Sequence, residues 1–279
     1  MQITEYGDLA AVSSCGGKAE KLLKLRSVPV NIPDGFILTY SVFEEFKKDR
    51  SYIDKLSQEI LTYYNRLIER TGQPVVAIRS SVSNEDSVQA SFAGLYQTYI
   101  NVDGAENLIQ LIKKCMDSFL NLNVNEYFIK RKVDNSNQGF ALIVQSMVIP
   151  NCSGVMFTKY PFKNNLLIVE SNWGLAHAVV SGKVTPDRYE VDLNDGYKVN
   201  AICGEKEYYY PVVSNNVVEL PTSSENRQKN SLSGDDLKRL VETGLKIEKF
   251  FGCPQDIEWT ISDNNEIVIL QSRPITLAC

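Results

Sequence analysis

The sequence predicts a fold of mixed α and β structure, arranged as one large domain or as two lobes closing on a cleft, and three observations carry that reading. Stretches with helical spacing alternate with short β-branched runs, the pattern of α/β and α+β proteins. At 279 residues, with 43% hydrophobic and 23% charged residues, the chain has a globular composition and length enough to bury a sizeable core. No internal repeat or low-complexity tract interrupts it.

In chain order, Cys15-Gly16-Gly17-Lys18 precedes a helical run, AEKLLKL. Residues 41–70 read as a helix, with Gly72 placed to end it. PVVAIR (74–79) reads as a strand and 105–132 as a second long helix. Strands follow at 139–149, 153–158 and 165–171. Residues 213–235 are polar and rich in Ser and Asn, which predicts a surface loop or mobile connection. Asp235 and Asp236 enrich the first turn of a helix over 235–251, and Gly252 follows it. DIEWTI (256–261) and EIVILQS (266–272), separated by Ser-Asp-Asn-Asn, read as an antiparallel hairpin.

Composition excludes several functions. With 29 Lys+Arg against 34 Asp+Glu the net charge is -5, so non-specific attraction to nucleic acid or an anionic membrane is not expected. No stretch has the apolar length of a membrane span, and the N-terminus lacks the basic flank and apolar core of a signal peptide, which predicts a cytoplasmic protein. Six scattered cysteines without a CxxC pair predict reduced thiols rather than disulfides or a zinc site. The single histidine, His177, removes histidine-cluster metal sites and leaves one position around which a Ser-His-Asp hydrolase could be built.

Three segments carry candidate chemistry. In Gly16-Gly17-Lys18 the glycines let backbone N–H groups approach a phosphate and the lysine adds a mobile charge; the spacing is not that of a Walker A loop, and the alternative is a loop before a solvated lysine. Arg79, ending an apolar strand and followed by Ser80 and Ser81, presents a guanidinium fork beside two hydroxyls. Beyond it come Asn84-Glu85-Asp86 and Ser91-Phe92-Ala93-Gly94, a small-residue run suited to closing over phosphates; the alternative is a surface salt bridge and a hairpin. In the terminal hairpin, alternation puts Asp256 and Glu258 on one face, and Gln271 and Arg273 on one face of the partner strand. If the two strands pair there, oxygens suited to Mg2+ meet an arginine suited to phosphate, the alternative being a solvated cross-strand ion pair.

These segments, in this order, resemble the nucleotide-binding region of phosphoenolpyruvate synthase, pyruvate phosphate dikinase and rifampin phosphotransferase. The stretches between them are similar too: Pro33-Asp34-Gly35-Phe36, Gln145-Ser146-Met147-Val148, Ser153-Gly154-Val155-Met156-Phe157, Glu170, Trp173-Gly174-Leu175, Val180-Ser181-Gly182 and Pro186-Asp187. The resemblance spans nearly all of residues 7–276.

The resemblance implies an α+β, two-lobed, ATP-grasp-like fold, with an N-terminal lobe over 1–147 and a C-terminal lobe over 148–279 forming one ATP-binding unit. It implies that Lys18, Arg79 and Arg131 contact the phosphates, and that Gln145, Ser146, Met147 and Val148 line the adenine slot, partly through backbone groups. Glu170 becomes a ribose or hinge contact, Glu258 and Gln271 become Mg2+ ligands with Asp256 in support, and Arg273 joins the phosphate contacts. Lys18, Arg79 and Arg273 would then be the catalytic cations of a phosphoryl transfer from Mg-ATP, a reaction that works through positioning and charge neutralisation. The chain departs from the family where Gly174-Leu175-Ala176-His177 replaces the usual Gly-Leu-Gly-Glu, and the family's phosphohistidine and substrate domains are expected to be absent from it. Three expectations follow. The chain donates a phosphoryl group, from the β position with release of AMP and phosphate, to a histidine on a separate partner; or it phosphorylates a small molecule directly; or it is an ATP-binding module without turnover.

Overall fold

The computed structural model describes residues 2–6, 13–83, 98–121, 139–160, 165–213 and 216–275. The chain divides into two compact units, Met1–Lys24 with Pro33–Met147, and Leu25–Ile32 with Val148–Cys279. A single division between 147 and 148 therefore misplaces Leu25–Ile32. This segment packs into the second unit, where Leu25 and Val28 join the apolar core and Asn31 bridges to Val268.

The first unit is a five-stranded antiparallel sheet. It comprises β1 (Ile3–Glu5), β2 (Gly35–Leu38), β3 (Val76–Val82), β4 (Thr98–Val102) and β5 (Phe140–Ser146), in the order β1-β2-β5-β3-β4. Strand alternation sends Phe36, Leu38, Val76, Ile78, Val82, Phe140, Leu142 and Val144 into one core. That core is closed by α2 (Tyr40–Lys48), α3 (Tyr52–Thr71) and α4 (Ala105–Asn121). The expected single helix over 41–70 is two helices because Asp49 Oδ1 accepts from Ser51 N at 2.9 Å and Ser51 Oγ at 2.7 Å. A local side-chain turn of this kind competes with the helix ladder. The second helix ends as expected at Gly72, whose φ of 66° is the left-handed cap. The long helix expected over 105–132 is observed to Asn121, and 122–138 lie outside the described residues.

Opposite that core, the sheet meets the start of α1 (Gly16–Leu25). Ala19 N donates to Ser81 Oγ at 3.0 Å. Gly16 adopts φ +81°, and a Cβ there would sit 2.5 Å from the Ser81 carbonyl carbon and oxygen. Only glycine satisfies both the left-handed backbone and the close approach.

The second unit is a six-stranded antiparallel sheet in the order β15-β14-β6-β7-β8-β9. Its strands are β6 (Pro150–Phe157), β7 (Leu166–Trp173), β8 (Asp187–Asp192), β9 (Lys198–Ile202), β14 (Gln255–Ser262) and β15 (Ile267–Pro274). Two short helices, α5 (His177–Val180) and α6 (Ser224–Gln228), precede α7 (Gly234–Phe251). In α7, Leu237, Leu240, Val241, Gly244 and Ile247 recur at helical spacing and are buried, pressing on Met156, Val169, Ile257, Trp259 and Ile261 of the sheet. Each of the four aliphatic side chains contributes about 1.5–3 kcal/mol on burial. Ser233 caps α7 by accepting from Asp236 N, and Gly252, at φ 72°, terminates it.

Residues 213–235, expected as a surface loop or mobile connection, carry regular structure at several of their described positions. Here β10 (Tyr208–Tyr209) pairs with β13 (Leu220–Pro221), and β11 (Val212–Val213) pairs with β12 (Asn216–Val217). The Ser231 and Leu232 amides also donate to side chains of β8, satisfying backbone groups that a polar composition alone leaves to water. Among the described residues no helix is long and apolar enough to cross a membrane, and Cys15, Cys115, Cys152, Cys203 and Cys253 are free thiols.

Candidate functional site

Both sheets have one apolar face committed to a core, and Arg79, Gln145, Glu170, Asp256, Glu258, Gln271 and Arg273 occupy the other, whereas Ser146, paired with Val76, projects toward the core. In the first unit, β3 alternation places Ala77, Arg79 and Ser81 opposite Val76, Ile78, Ser80 and Val82. Register pairs Arg79 with Ile143 and Ala77 with Gln145 on β5, so Arg79 and Gln145 share a face. The Ser81 contact brings the Gly16-Gly17-Lys18 helix start to that same face. Burial pushes the Cys15 thiol up to about 12, with Glu20 adding to the effect, so this cysteine is a protonated packing group rather than a nucleophile.

Gln145 is 4% exposed, and its Oε1 has no hydrogen-bond partner among the described residues. An orphaned buried acceptor costs free energy unless a donor reaches it. The next backbone amides are occupied: Ser146 N donates to Asp34 O at 2.8 Å and Met147 N to Val75 O at 2.9 Å. Val148 begins the second unit. Arg131, Asn84-Glu85-Asp86 and Ser91-Phe92-Ala93-Gly94 lie outside the described residues.

In the second unit, the terminal hairpin pairs Glu258 with Gln271 and Asp256 with Arg273. A register irregularity follows between Glu258 and Trp259. The β14–β6 and β6–β7 registers extend these pairs into rows across the sheet. One row runs Gln271, Glu258, Val155, Glu170 and Arg188; the next runs Arg273, Asp256, Phe157, Ile168 and Glu190. Directly opposed residues project to the same face, so Asp256, Glu258, Gln271, Arg273 and Glu170 stand on the face opposite α7.

Arg273 Nε and Nη2 both donate to Asp256 Oδ2, at 2.9 and 2.7 Å. Asp256, expected to support the metal, thus holds the arginine in place. Glu170 Oε1 accepts from Arg188 Nη1 at 3.0 Å, and Arg188 Nε donates to Glu190 at 3.2 Å. Arg188 and Glu190 were not among the residues predicted for the site, although the alternation of DRYEVD, with Asp187, Tyr189 and Val191 buried, carries the signal that places them on this face. Among the described residues no three His, Cys, Asp or Glu side chains form a metal cluster. On this face Asp256 is engaged by Arg273 and Glu170 by Arg188, while Glu258 sets a carboxylate beside the Gln271 amide.

His177 lies apart from these rows, at the start of α5, with its ring edge-on to Tyr210 at 5.9 Å. Beneath β8 a separate buried pair forms: Lys206 Nζ donates to Asp187 Oδ1 at 2.6 Å, with both side chains fully buried. Asp187 also accepts from Gly204 N, Ser231 N and Ser231 Oγ. The Pro186-Asp187 step of the sequence is therefore structural, because its carboxylate ties two connections to β8.

Residues 48–278 match the family model of the pyruvate phosphate dikinase AMP/ATP-binding domain. A probable phosphoenolpyruvate synthase of Methanothermobacter thermautotrophicus is 33% identical over 95% of this chain and 44% of its own length. The phosphoenolpyruvate synthase of Pyrococcus furiosus is 36% identical over 80% of this chain and 29% of its own. The rifampicin phosphotransferase of Bacillus cereus is 38% identical over 72% and 23%. The chain thus spans less than half the length of these relatives. Among solved structures, a D-alanine-D-alanine ligase from Coxiella burnetii aligns over 96% of this chain and 49% of its own, at 11% identity and a TM-score of 0.42, too distant to carry an argument.

Proposed function

Because this chain belongs to the pyruvate phosphate dikinase AMP/ATP-binding family, we propose that it binds Mg-ATP in an ATP-grasp-like manner and serves as the phosphoryl-donating part of a phosphotransferase. The observation that carries the proposal is the register of the terminal hairpin, which sets Glu258 beside Gln271 and Asp256 beside Arg273 on one sheet face. A carboxylate and an amide oxygen fit Mg2+, which keeps several sites for phosphate oxygens and water. When bound, the ion would neutralise charge on the transferring phosphates.

The chain's own residues do the rest. Arg273, held by Asp256, is the phosphate-binding guanidinium of this proposal, and Lys18 and Arg79 are its further cations. Gln145 and the segment to Val148 receive the base, and Glu170, braced by Arg188, receives the ribose. Fixing donors before the reaction lowers its barrier because no side chain reorganises as charge develops. The acceptor we favour is a histidine on a separate protein domain, taking the β-phosphoryl group with release of AMP and phosphate. Compatible with this are relatives that extend well beyond the region this chain matches.

The test is to incubate the chain with ATP and Mg2+, alone, with a phosphohistidine-domain protein, and with small-molecule acceptors, and to resolve the nucleotides chromatographically. AMP that appears only with the histidine-domain protein supports the proposal. A phosphorylated small molecule would replace that acceptor, and ATP binding without turnover in any arm would remove the catalytic reading. Glu258→Ala and Arg273→Ala should each abolish turnover; activity within a few-fold of wild type would remove the site assignment.

A further inference from the structure

Among the described residues the second unit's sheet ends in a strand whose edge is guarded by a single charge, without proline or a bulge. Among the described residues β9 pairs only with β8, and all five of its residues are exposed. Soluble proteins blunt such edges with charge, proline or a bulge, because the unpaired N–H and C=O groups recruit another strand. Here the single charge on β9 is Lys198, whose ammonium already faces Asp195 at 3.7 Å. Large apolar side chains stand out instead: Tyr197 is 54% exposed, Val199 44% and Ile202 49%. Beside them a groove of about 640 Å3 runs between β9 and the first half of α7, lined by Tyr197, Val199, Ala201, Leu237 and Val241 among others.

We propose that β9 is a self-association edge, on which a second copy of this chain pairs its own β9 antiparallel about a two-fold axis. The open row of main-chain groups calls for an extended strand as its occupant. A foreign peptide would satisfy that row while leaving its own outer edge open, whereas a second β9 closes both edges in one contact. Such a contact is isologous and ends at two copies. Full overlap of the five residues centres the pair on Asn200, so Asn200 meets Asn200 of the second copy, Val199 meets its Ala201, and Lys198 meets its Ile202. Opposed residues share a face, so Val199 and Ala201 of both copies merge into one apolar floor beside α7. The only charges on the strands, the two lysines, fall at opposite ends of the pair. This inference is independent of the nucleotide reading, since it uses no residue of the proposed ATP site.

The test is sedimentation velocity of the whole chain over about a hundredfold range of concentration, to cover micromolar to sub-millimolar Kd. Wild type should shift from monomer to dimer. Val199→Lys with Ile202→Lys, both at exposed positions, should weaken the dimer at least tenfold while circular dichroism stays unchanged. Asn200→Cys reports the register, because opposed Cα atoms in an antiparallel pair lie about 4.5–5.5 Å apart, within reach of a disulfide. With the exposed native thiol removed by Cys203→Ser in both variants, mild diamide oxidation should link Asn200→Cys into a covalent dimer and leave Ser57→Cys, on the first unit, uncrosslinked. A chain that stays monomeric throughout, a dimer indifferent to the double lysine variant, or equal crosslinking at 57 and 200 would overturn the proposal.

Discussion

Replacing Gly16 by alanine tests whether the Gly-Gly-Lys loop is fastened to the strand that carries Arg79. At φ +81° an alanine carries the left-handed strain of a non-glycine residue, about 1–2 kcal/mol. Its Cβ would also lie 2.5 Å from the Ser81 carbonyl carbon, carbonyl oxygen and Oγ. The hydroxyl can rotate away; the carbonyl, fixed in a strand flanked by two others, cannot. Overpacking of this kind costs about 1–3 kcal/mol, which brings the expected loss to about 2–5 kcal/mol. Urea denaturation of Gly16→Ala gives the sum, and Gly16→Asn separates its parts, since asparagine tolerates the left-handed backbone while keeping the clash. Calorimetry should show ATP binding weakened in both variants, because relieving the clash moves Lys18 away from the Arg79 face. A Gly16→Ala loss below about 0.5 kcal/mol, the range of ordinary surface substitutions, with unchanged ATP affinity, would refute the argument that α1 is held there by close contact.

The remaining predictions concern charges. Asp187→Asn leaves the fully buried Lys206 ammonium without its counter-ion and should destabilise the fold by about 3–5 kcal/mol, measured by chemical denaturation; adding Lys206→Met should recover part of that loss, because it removes the uncompensated charge while the asparagine oxygen can still accept from a buried donor. Asp256→Asn exchanges a charge-assisted brace on Arg273 for a neutral one and should slow turnover about tenfold, an effect of about 1.4 kcal/mol, with little change in melting temperature. Partial burial and then Lys183 hold the His177 pKa below its ordinary 6.5. The unfolded chain therefore takes up this proton first. Its contribution to stability is intact above 6.5 and is lost as pH falls from 6.5 to the folded value. As the single histidine, His177 gives one imidazole NMR signal that should titrate below 6.5, and His177→Gln should flatten that part of the stability–pH curve.

Much of this molecule was legible locally. Alternation in DIEWTI and ILQSRP placed Asp256 and Glu258 on one face and Gln271 and Arg273 on one face, and the Ser-Asp-Asn-Asn turn brought the strands together in register. Gly72 and Gly252 ended helices where expected. Misreadings arose where a side chain intervened or a partner was remote. Asp49 broke the helix over 41–70 by bonding Ser51, and the polar run over 213–235 gained order from β8 and from its own short pairings.

The sequence by itself determined the kind of each element, the side of each strand that bears chemistry, and the family, because these follow from spacings within a few residues and from ordered motifs. The tertiary structure alone decided that β14 lies beside β6, which carries the Glu258 row through Val155 to Glu170 and the brace at Arg188. It also assigned Leu25–Ile32 to the second unit and, among the described residues, left β9 at the edge of its sheet. Those choices depend on which distant surfaces bury best against one another, and a periodicity read along one strand contains no information about its neighbour.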